Sequence, residues 1–406
     1  MADKDGTAKR FFCGAMRVCA PVATLARIMP LCGAAGITRV ANITNLDRLG
    51  LPVVAAIRPN SRSLSVSQGK GATLEAAKVS AVMEALELYH AERIHLPLIY
   101  GSVRELSRFE LVDTERLPSV QRSRFHHDLP ILWIEGHDLV TGSGRWVPFE
   151  MVHASARVPA PAGSGCFSAT SNGLASGNHL VEAMLHAVCE VIERDSTTMW
   201  EASLDRRPDT RLDLTSIDDD VCRRLLTRLA EANVAVAVWS TTTDCGVPAF
   251  ICEIVDAGAN GELPLSSFTG MGCHPSRSVA LSRAITEAVQ CRLTYIAGSR
   301  DDLFRREYSP TFTANQRPRY ADLRLAEPTI TFADIVEFSA PTIREDLDWV
   351  LERLGAMGCE QVIVVELSKP EYGVPVVRVI IPGLEGPDDD PSYVAGPRAL
   401  RAKERT

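Results

Sequence analysis

The sequence has no excess of basic charge, no uninterrupted apolar run long enough to span a membrane and no C-x-x-C pair. Lys and Arg total 43 against 51 Asp and Glu, for a formal net charge of -8. A general binder of nucleic acid or of an anionic membrane surface carries the opposite balance, so neither partner is expected. The apolar stretch from Cys19 to Ile37 is interrupted by Pro21, Arg27 and Pro30, which a membrane-spanning helix does not accommodate. "MADKDGTAKRFF" carries charges of both signs and no apolar core, so it does not read as a signal peptide. The 11 cysteines are odd in number and scattered among apolar neighbours. They read as reduced thiols serving as small hydrophobes in a cytoplasmic protein, not as a disulfide framework or a zinc site. Two familiar phosphate signatures are absent as well: neither the P-loop G-x-x-x-x-G-K-[ST] nor the dinucleotide fingerprint occurs.

What is present is ordinary for a folded globular chain: 46% hydrophobic and 23% charged residues over 406 positions. That length suggests two or more domains or one large mixed unit. Helical spacing over Val22 to Leu31 precedes strand-like "GITRVANI" and "LPVVAAIRP". "ILWIEGHDL" and "RWVPFEMVHA" read as a hairpin around "VTGSG". Residues 1 to about 10, and the polar stretch from Pro387 onward, read as loose tails. One pattern occurs twice. A helix, an apolar strand, a turn containing Gly-Val-Pro and a second apolar strand run through "CRRLLTRLAEANVAVAVWSTTTDCGVPAFICEIVD" and again through "REDLDWVLERLGAMGCEQVIVVELSKPEYGVPVVRVIIPG". Such duplication predicts an α+β chain of helices and mixed sheets with partly duplicated halves.

Three further segments share a message. "SQGKGATLEAAKVSAVMEALELY", "SNGLASGNHLVEAMLHAVCEVIERD" and "GMGCHPSRSVALSRAITEAVQCRL" each place a glycine-bearing turn before a long helix. Gly71 is followed by Glu84 and Glu87, and Gly177 by Glu190 and Glu193 at the same spacing; Gly272 precedes Glu287 and Gln290. At about 100° per residue, Ser80, Glu84 and Glu87 share a face of the first helix. Glu182, Glu190 and Glu193 share one on the second, and Arg283, Glu287 and Gln290 one on the third. These stripes hold almost no Lys, and like charges three or four residues apart repel. A solvated face does not need to repeat that cost three times; a bound cation offsets it, and carboxylate oxygens suit Mg²⁺. Exposed N–H groups at a helix start, close backbone approach at glycine, and Lys70 suit phosphate. The residues alone therefore predict a Mg²⁺-nucleotide site between three glycine-turn helices.

Together and in this order, the three blocks resemble the signature blocks of the YcaO superfamily. The resemblance runs from about Ala35 to Gly386. It divides the chain into an N-terminal segment (1–34), a YcaO domain (35–386) and a polar C-terminal tail (387–406). It implies an ATP- and Mg²⁺-dependent enzyme that activates a peptide backbone amide: a nucleophile adds to the carbonyl, ATP phosphorylates the oxyanion, and phosphate leaves. By motif position, Glu84, Glu87, Glu190, Glu193 and Glu287 would hold Mg²⁺. Lys70, Ser80, Asn178, Glu182, Arg194, Arg283 and Gln290 would contact nucleotide, and Glu190, Glu193 and Arg194 would form the catalytic group. The second block carries Ala175 where the family often has Ser, removing one hydroxyl contact. Arg292 belongs to the motif but projects off the Glu287 face. Cys166 reads as a loop residue near the site; His153 and His179, beside the second block, are candidate bases or packed and capping histidines.

Azoline-forming relatives usually end in a proline-rich P-x-P-x-P tail, and this chain ends in "GPRALRAKERT". With the resemblance starting about 35 residues from Met1, no fused partner domain is expected. A stand-alone member of this shape is similar to those that make thioamides with a TfuA-type partner thought to deliver sulfur. The expectation is therefore thioamidation of a peptide or protein, in a homodimer. An azoline-forming cyclodehydratase with a separate partner protein, and a non-catalytic ATP-binding accessory protein, are the alternatives.

Overall fold

Apolar, β-branched runs pair into sheets, and the strands named below pair antiparallel throughout the described residues. The computed structural model describes residues 6–203, 208–256, 267–309, 327–387 and 390–404. A short hairpin, β1 (Phe11–Phe12) and β2 (Met16–Arg17), leads into helix α1 (Pro21–Ile28). Strands β3 (Arg39–Asn42), β4 (Val53–Ile57) and β5 (Val66–Lys70) form a three-stranded sheet against which α2 (Leu74–Ala91) packs. Next come β6 (Leu98–Gly101), β7 (Ile131–Asp138), β8 (Gly144–Pro148), β9 (Leu174–Ser176) and the long helix α3 (Leu180–Ala202). Helix α4 (Asp220–Glu231) precedes a second three-stranded sheet, β10 (Val234–Ser240), β11 (Ala249–Asp256) and β12 (Phe268–Cys273), covered by α5 (Arg277–Ala297). The chain closes with α6 (Ile343–Ala356), β13 (Ile363–Glu366), β14 (Val376–Ile380) and α7 (Pro397–Glu404).

The central sheet has the order β6-β7-β13-β14-β9, with β8 also paired to β7. Successive side chains of a strand point to opposite faces. Val376 and Ile380 of β14 accordingly join the core that includes α2 residues Ala81 and Leu86. Val377 and Val379 join the core that includes α3 residues Val188 and Ile192. The same alternation puts Leu174 of β9 on the α2 side and Ala175 on the α3 side.

Both copies of the duplicated pattern are present, as α4-β10-β11 and α6-β13-β14. Their matching Gly246 and Gly373 both have positive φ, +68° and +59°, where a side chain would be strained. The glycine turns are a correction. Gln68, Gly69 and Lys70 lie in β5, and Gly270 and Gly272 in β12, so these are strand ends and not loops. A Cβ on Gly69 would lie 2.0 Å from Ala81 N of α2, and one on Gly270 2.1 Å from Ala288 N of α5. These glycines exist so that a strand can lie directly on its helix.

The two tails differ from expectation too. Lys9 is buried and pairs with buried Asp346 at 2.6 Å, so the chain is anchored by that point. Beyond Gly386, α7 packs on α3, and its Arg398 is buried against Asp195. Among the described residues no helix is long and apolar enough to cross a membrane.

Candidate active site

Each of the three site helices starts a few residues after a strand end. Thr73 caps α2 by accepting from Ala76 N at 3.2 Å, and the His179 ring caps α3 by accepting from Val181 N at 3.2 Å. His179 is therefore a capping residue, its Nδ1 occupied. With their starts fixed, the acidic stripes of α2, α3 and α5 turn toward one another and wall a cavity of about 1200 Å³. All twelve residues carried over from the motif positions line it: Lys70, Ser80, Glu84, Glu87, Asn178, Glu182, Glu190, Glu193, Arg194, Arg283, Glu287 and Gln290.

The carboxylates are held separately. The Ser176 backbone N–H and hydroxyl donate to Glu87 at 2.8 and 2.6 Å. Gly173 N donates to Glu190 at 3.2 Å, and Lys70 pairs with Glu287 across the gap between β5 and α5. Burial pushes Glu84 up to about 7, with Arg300 and Lys70 opposing, and Glu87 up to about 8. Glu193 is pushed up to about 7 by burial, with Arg194 opposing; Glu190 is raised by burial as well. Burial also acts to raise Glu287, but Lys70 and Arg194 together hold it below the usual carboxylate range. Among the described residues no three His, Cys, Asp or Glu side chains are drawn together into a metal cluster. The set is nonetheless all oxygen, hard, mutually repelling and under-compensated, and donors of that kind fit Mg²⁺ and not a soft metal.

Other expected residues are placed elsewhere or already occupied. Glu182 accepts from Val18 N at 3.0 Å and from the Asn178 side-chain amide at 3.0 Å, and pairs with Arg17 at 3.3 Å. Asn178 Oδ1 accepts from Thr24 at 2.8 Å and Arg27 at 3.0 Å. Gln290 donates to the Gln68 carbonyl at 2.7 Å, and Arg283 to the Cys273 carbonyl at 3.1 Å. Arg292 lies off the cavity, buried between Asp47 at 2.7 Å and Asp256 at 3.1 Å. Cys166 is buried and outside the cavity, its thiol pushed up to about 11 by burial, which makes it inert. Ala175 faces the α3 core while Ser176 lines the cavity, so the missing hydroxyl at 175 removes no cavity contact here.

The sequence reading missed Arg17, Thr24 and His186, which also line the cavity. His186 was legible: it stands four residues from both Glu182 and Glu190, on the same stripe. Burial and the cations Arg283, Arg17 and Lys70 hold it well below the usual histidine range. Arg17 and Thr24 carried no local signal, because only the tertiary contact with α3 brings them in.

A family model described as YcaO cyclodehydratase, ATP- and Mg²⁺-binding, matches residues 68–385. An uncharacterized protein from the tfuA 3′ region of Rhizobium leguminosarum bv. trifolii is 38% identical over 379 residues, covering 91% of this chain and 88% of its own. An uncharacterized protein of Methanothermobacter thermautotrophicus is 35% identical over 375 residues, covering 88% and 92%. Among solved structures, YcaO from Methanopyrus kandleri bound with AMPPCP and Mg²⁺ has a TM-score of 0.74 at 22% identity, covering 96% of this chain and 99% of that one. A heterocyclase in complex with substrate and cofactor gives 0.76 at 21% identity over 93% of this chain; this chain spans about half of the heterocyclase, 54%. At these identities the two structures speak for the fold, while the family match and the two relatives speak for descent: the chain belongs to the YcaO family.

Proposed function

We propose that the protein uses MgATP to activate a peptide backbone amide by O-phosphorylation and exchanges the amide oxygen for sulfur, giving a thioamide. The observation that carries the reading is the convergence of five glutamates, Glu193 buried and Glu84, Glu87, Glu190 and Glu287 partly buried, and the cations Lys70, Arg194 and Arg283 on one cavity. No nucleophilic side chain is needed for this chemistry; positioning and charge neutralisation suffice. Hydrosulfide adds to the amide carbonyl carbon, and the electron pair moves to oxygen. That oxygen attacks the γ-phosphorus as ADP leaves; the C–O bond then breaks, inorganic phosphate departs with the amide oxygen, and loss of the sulfur proton leaves C=S.

Glu84, Glu87, Glu190, Glu193 and Glu287 would hold Mg²⁺, which when bound supplies charge neutralisation at the phosphates. Lys70, Arg194 and Arg283 would neutralise and orient the polyphosphate, with Ser80, Asn178, Glu182 and Gln290 lining its path. Thioamide formation is favoured over azoline formation by two points. A protein 38% identical to this one lies in a tfuA 3′ region, which suggests a TfuA-type sulfur-delivering partner. The described C-terminal residues 390–404 form α7 and its approach and do not line the cavity, unlike a proline-rich tail that reaches the site.

The test is mass spectrometry of candidate precursor peptides after incubation with the protein, MgATP and sulfide, with and without a TfuA-type partner. Exchange of oxygen for sulfur is expected. Loss of water identifies an azoline-forming enzyme instead, and ATP hydrolysis indifferent to every peptide and sulfur source identifies a nucleotide-binding accessory protein.

A further inference from the structure

Among the described residues, the buried arginines are Arg58, Arg292, Arg378 and Arg398. Arg58 donates to Glu92 at 2.6 Å, Arg292 to Asp47 at 2.7 Å and Arg398 to Asp195 at 3.0 Å. Arg378 of β14 has no such carboxylate partner among the described residues. It stands between Val376 and Ile380 on the face of the central sheet that packs on α2, so its charge lies in an apolar layer. Its Nη2 donates to the Thr170 carbonyl at 2.5 Å. Its Nε is buried without a partner among the described residues, as is Oδ1 of Asn172. Both residues line a second, small cavity of about 30 Å³, which has room for ordered water. Water there satisfies both atoms but supplies no negative charge. Burial pushes the guanidinium down to about 10, and the carboxylate that opposes this is Glu190. An unpaired buried charge lowers stability, so stability does not explain why this one is kept.

What Arg378 holds does explain it. Arg378 does not line the main cavity, whereas Thr170 and Ser171 do. Strand β14 grips the segment 170–173 through two successive residues. Arg378 takes the Thr170 carbonyl, and the Val379 N–H donates to the Gly173 carbonyl at 2.8 Å. Gly173 lies close against the strand: its φ is +78°, and a Cβ there would come within 2.5 Å of the Val379 carbonyl oxygen. The N–H of Gly173 donates to Glu190 at 3.2 Å. Among the described residues this is the hydrogen bond that holds the Glu190 carboxylate. A short, continuous path therefore runs from Arg378 through Thr170 and Gly173 to Glu190, reaching the main cavity from behind its wall.

We propose that Arg378 is a positioning residue for Glu190: it fixes the segment 170–173, whose Gly173 N–H holds the Glu190 carboxylate in place for Mg²⁺. The inference rests on the reading of Glu190 as part of the Mg²⁺ shell and adds the group that keeps it there. Groups that orient a metal ligand without touching the metal typically set metal affinity by about 10- to 100-fold.

The test reads the Mg²⁺ concentration that half-saturates AMPPCP binding to the full chain, with the melting temperature in chelator alongside. Arg378→Met should raise that concentration by about 10-fold or more. Its melting temperature in chelator should equal or exceed the wild type's, because an unpaired charge has left the core. Arg378→Lys, which keeps a charge and a donor for Thr170, should recover much of the Mg²⁺ affinity. Because Arg378 acts through Glu190, adding Arg378→Met to Glu190→Gln should cost no further Mg²⁺ affinity. An unchanged Mg²⁺ requirement in Arg378→Met, a lower melting temperature, or a loss that adds to that of Glu190→Gln marks Arg378 as a structural residue and overturns the proposal. An unchanged Mg²⁺ requirement in Glu190→Gln itself removes the metal assignment as well, and this proposal falls with it.

Discussion

Glu193 shows how burial and function pull against each other at a single residue. It is 6% exposed, its pKa is pushed up to about 7 by burial, and its nearest cation, Arg194, is 3.5 Å away. Glu193→Gln replaces a carboxylate by a group of the same shape and no charge, so the fold should persist while Mg²⁺-dependent ATP turnover is abolished. Circular dichroism with a coupled ATPase assay checks both halves, and near-normal turnover sinks the assignment. The raised values also set a pH dependence. Glu84, Glu87 and Glu193 have folded values of about 7, 8 and 7 against 4.5 for the free side chain. An acid raised in the folded state adds stability that is fully present below its unfolded value and is lost as pH rises through the folded one. In chelator, the melting temperature should therefore fall as pH climbs from about 4.5 to about 8, and Mg²⁺ should restore it at the upper end. A Glu84→Gln, Glu87→Gln, Glu193→Gln triple variant should show a flatter profile; an identical slope would mean other groups govern it.

At the scale of elements, the decisive contact is a strand lying on the helix that follows it. Gly270 and Gly272 face the backbone of α5, where added Cβ atoms would come within 2.1 and 2.0 Å of Ala288 N and Ala280 O. Backbone cannot give way as a flexible side chain can. Gly270→Ala should destabilise the protein by about 3 kcal/mol, the upper end of ordinary overpacking costs. Gly355, inside α6 with nothing within 4 Å of its Cβ position, is the control. There alanine should gain about 0.5–1 kcal/mol from helix propensity. Urea denaturation of the two variants separates the cases. A mild effect at Gly270 would show that strand and helix can move apart. The spacing of glycine to glutamate was legible in sequence, but not its reason: without the pairing of β11 with β12, a glycine pair reads as a turn.

For the molecule as a whole, the ends close the structure over the site helices. Arg398 of α7 donates to both oxygens of Asp195 at 3.0 and 3.1 Å and to Asp244 at 2.7 Å. Asp195 is 1% exposed and directly follows Arg194 on α3. Arg398→Met leaves a buried carboxylate without its cation and should cost about 3 kcal/mol in chemical denaturation. Adding Asp195→Asn should return part of that loss, and no recovery would mean the packing of α7, not the charge pair, is what matters. The polar composition of the tail gave no hint of this helix, because Asp195 and Asp244 lie about 200 and 150 residues away in sequence.

The acidic stripes of α2, α3 and α5, their spacing from glycine and their shortage of lysine were local properties, set by helical periodicity, and they named nine cavity residues in advance; the first turn added Lys70, and the family resemblance added Asn178 and Arg194. Sequence also carried the duplicated helix-strand-strand unit, since alternation and turn residues repeat in order. Tertiary structure alone decided the rest. It turned the three stripes inward, showed that the glycines serve strand-on-helix packing, brought Arg17 and Thr24 to α3, and sent Arg292 to Asp47 and Asp256. Each of these depends on partners distant in sequence, whose positions follow from sheet pairing and core packing and not from any short stretch of chain.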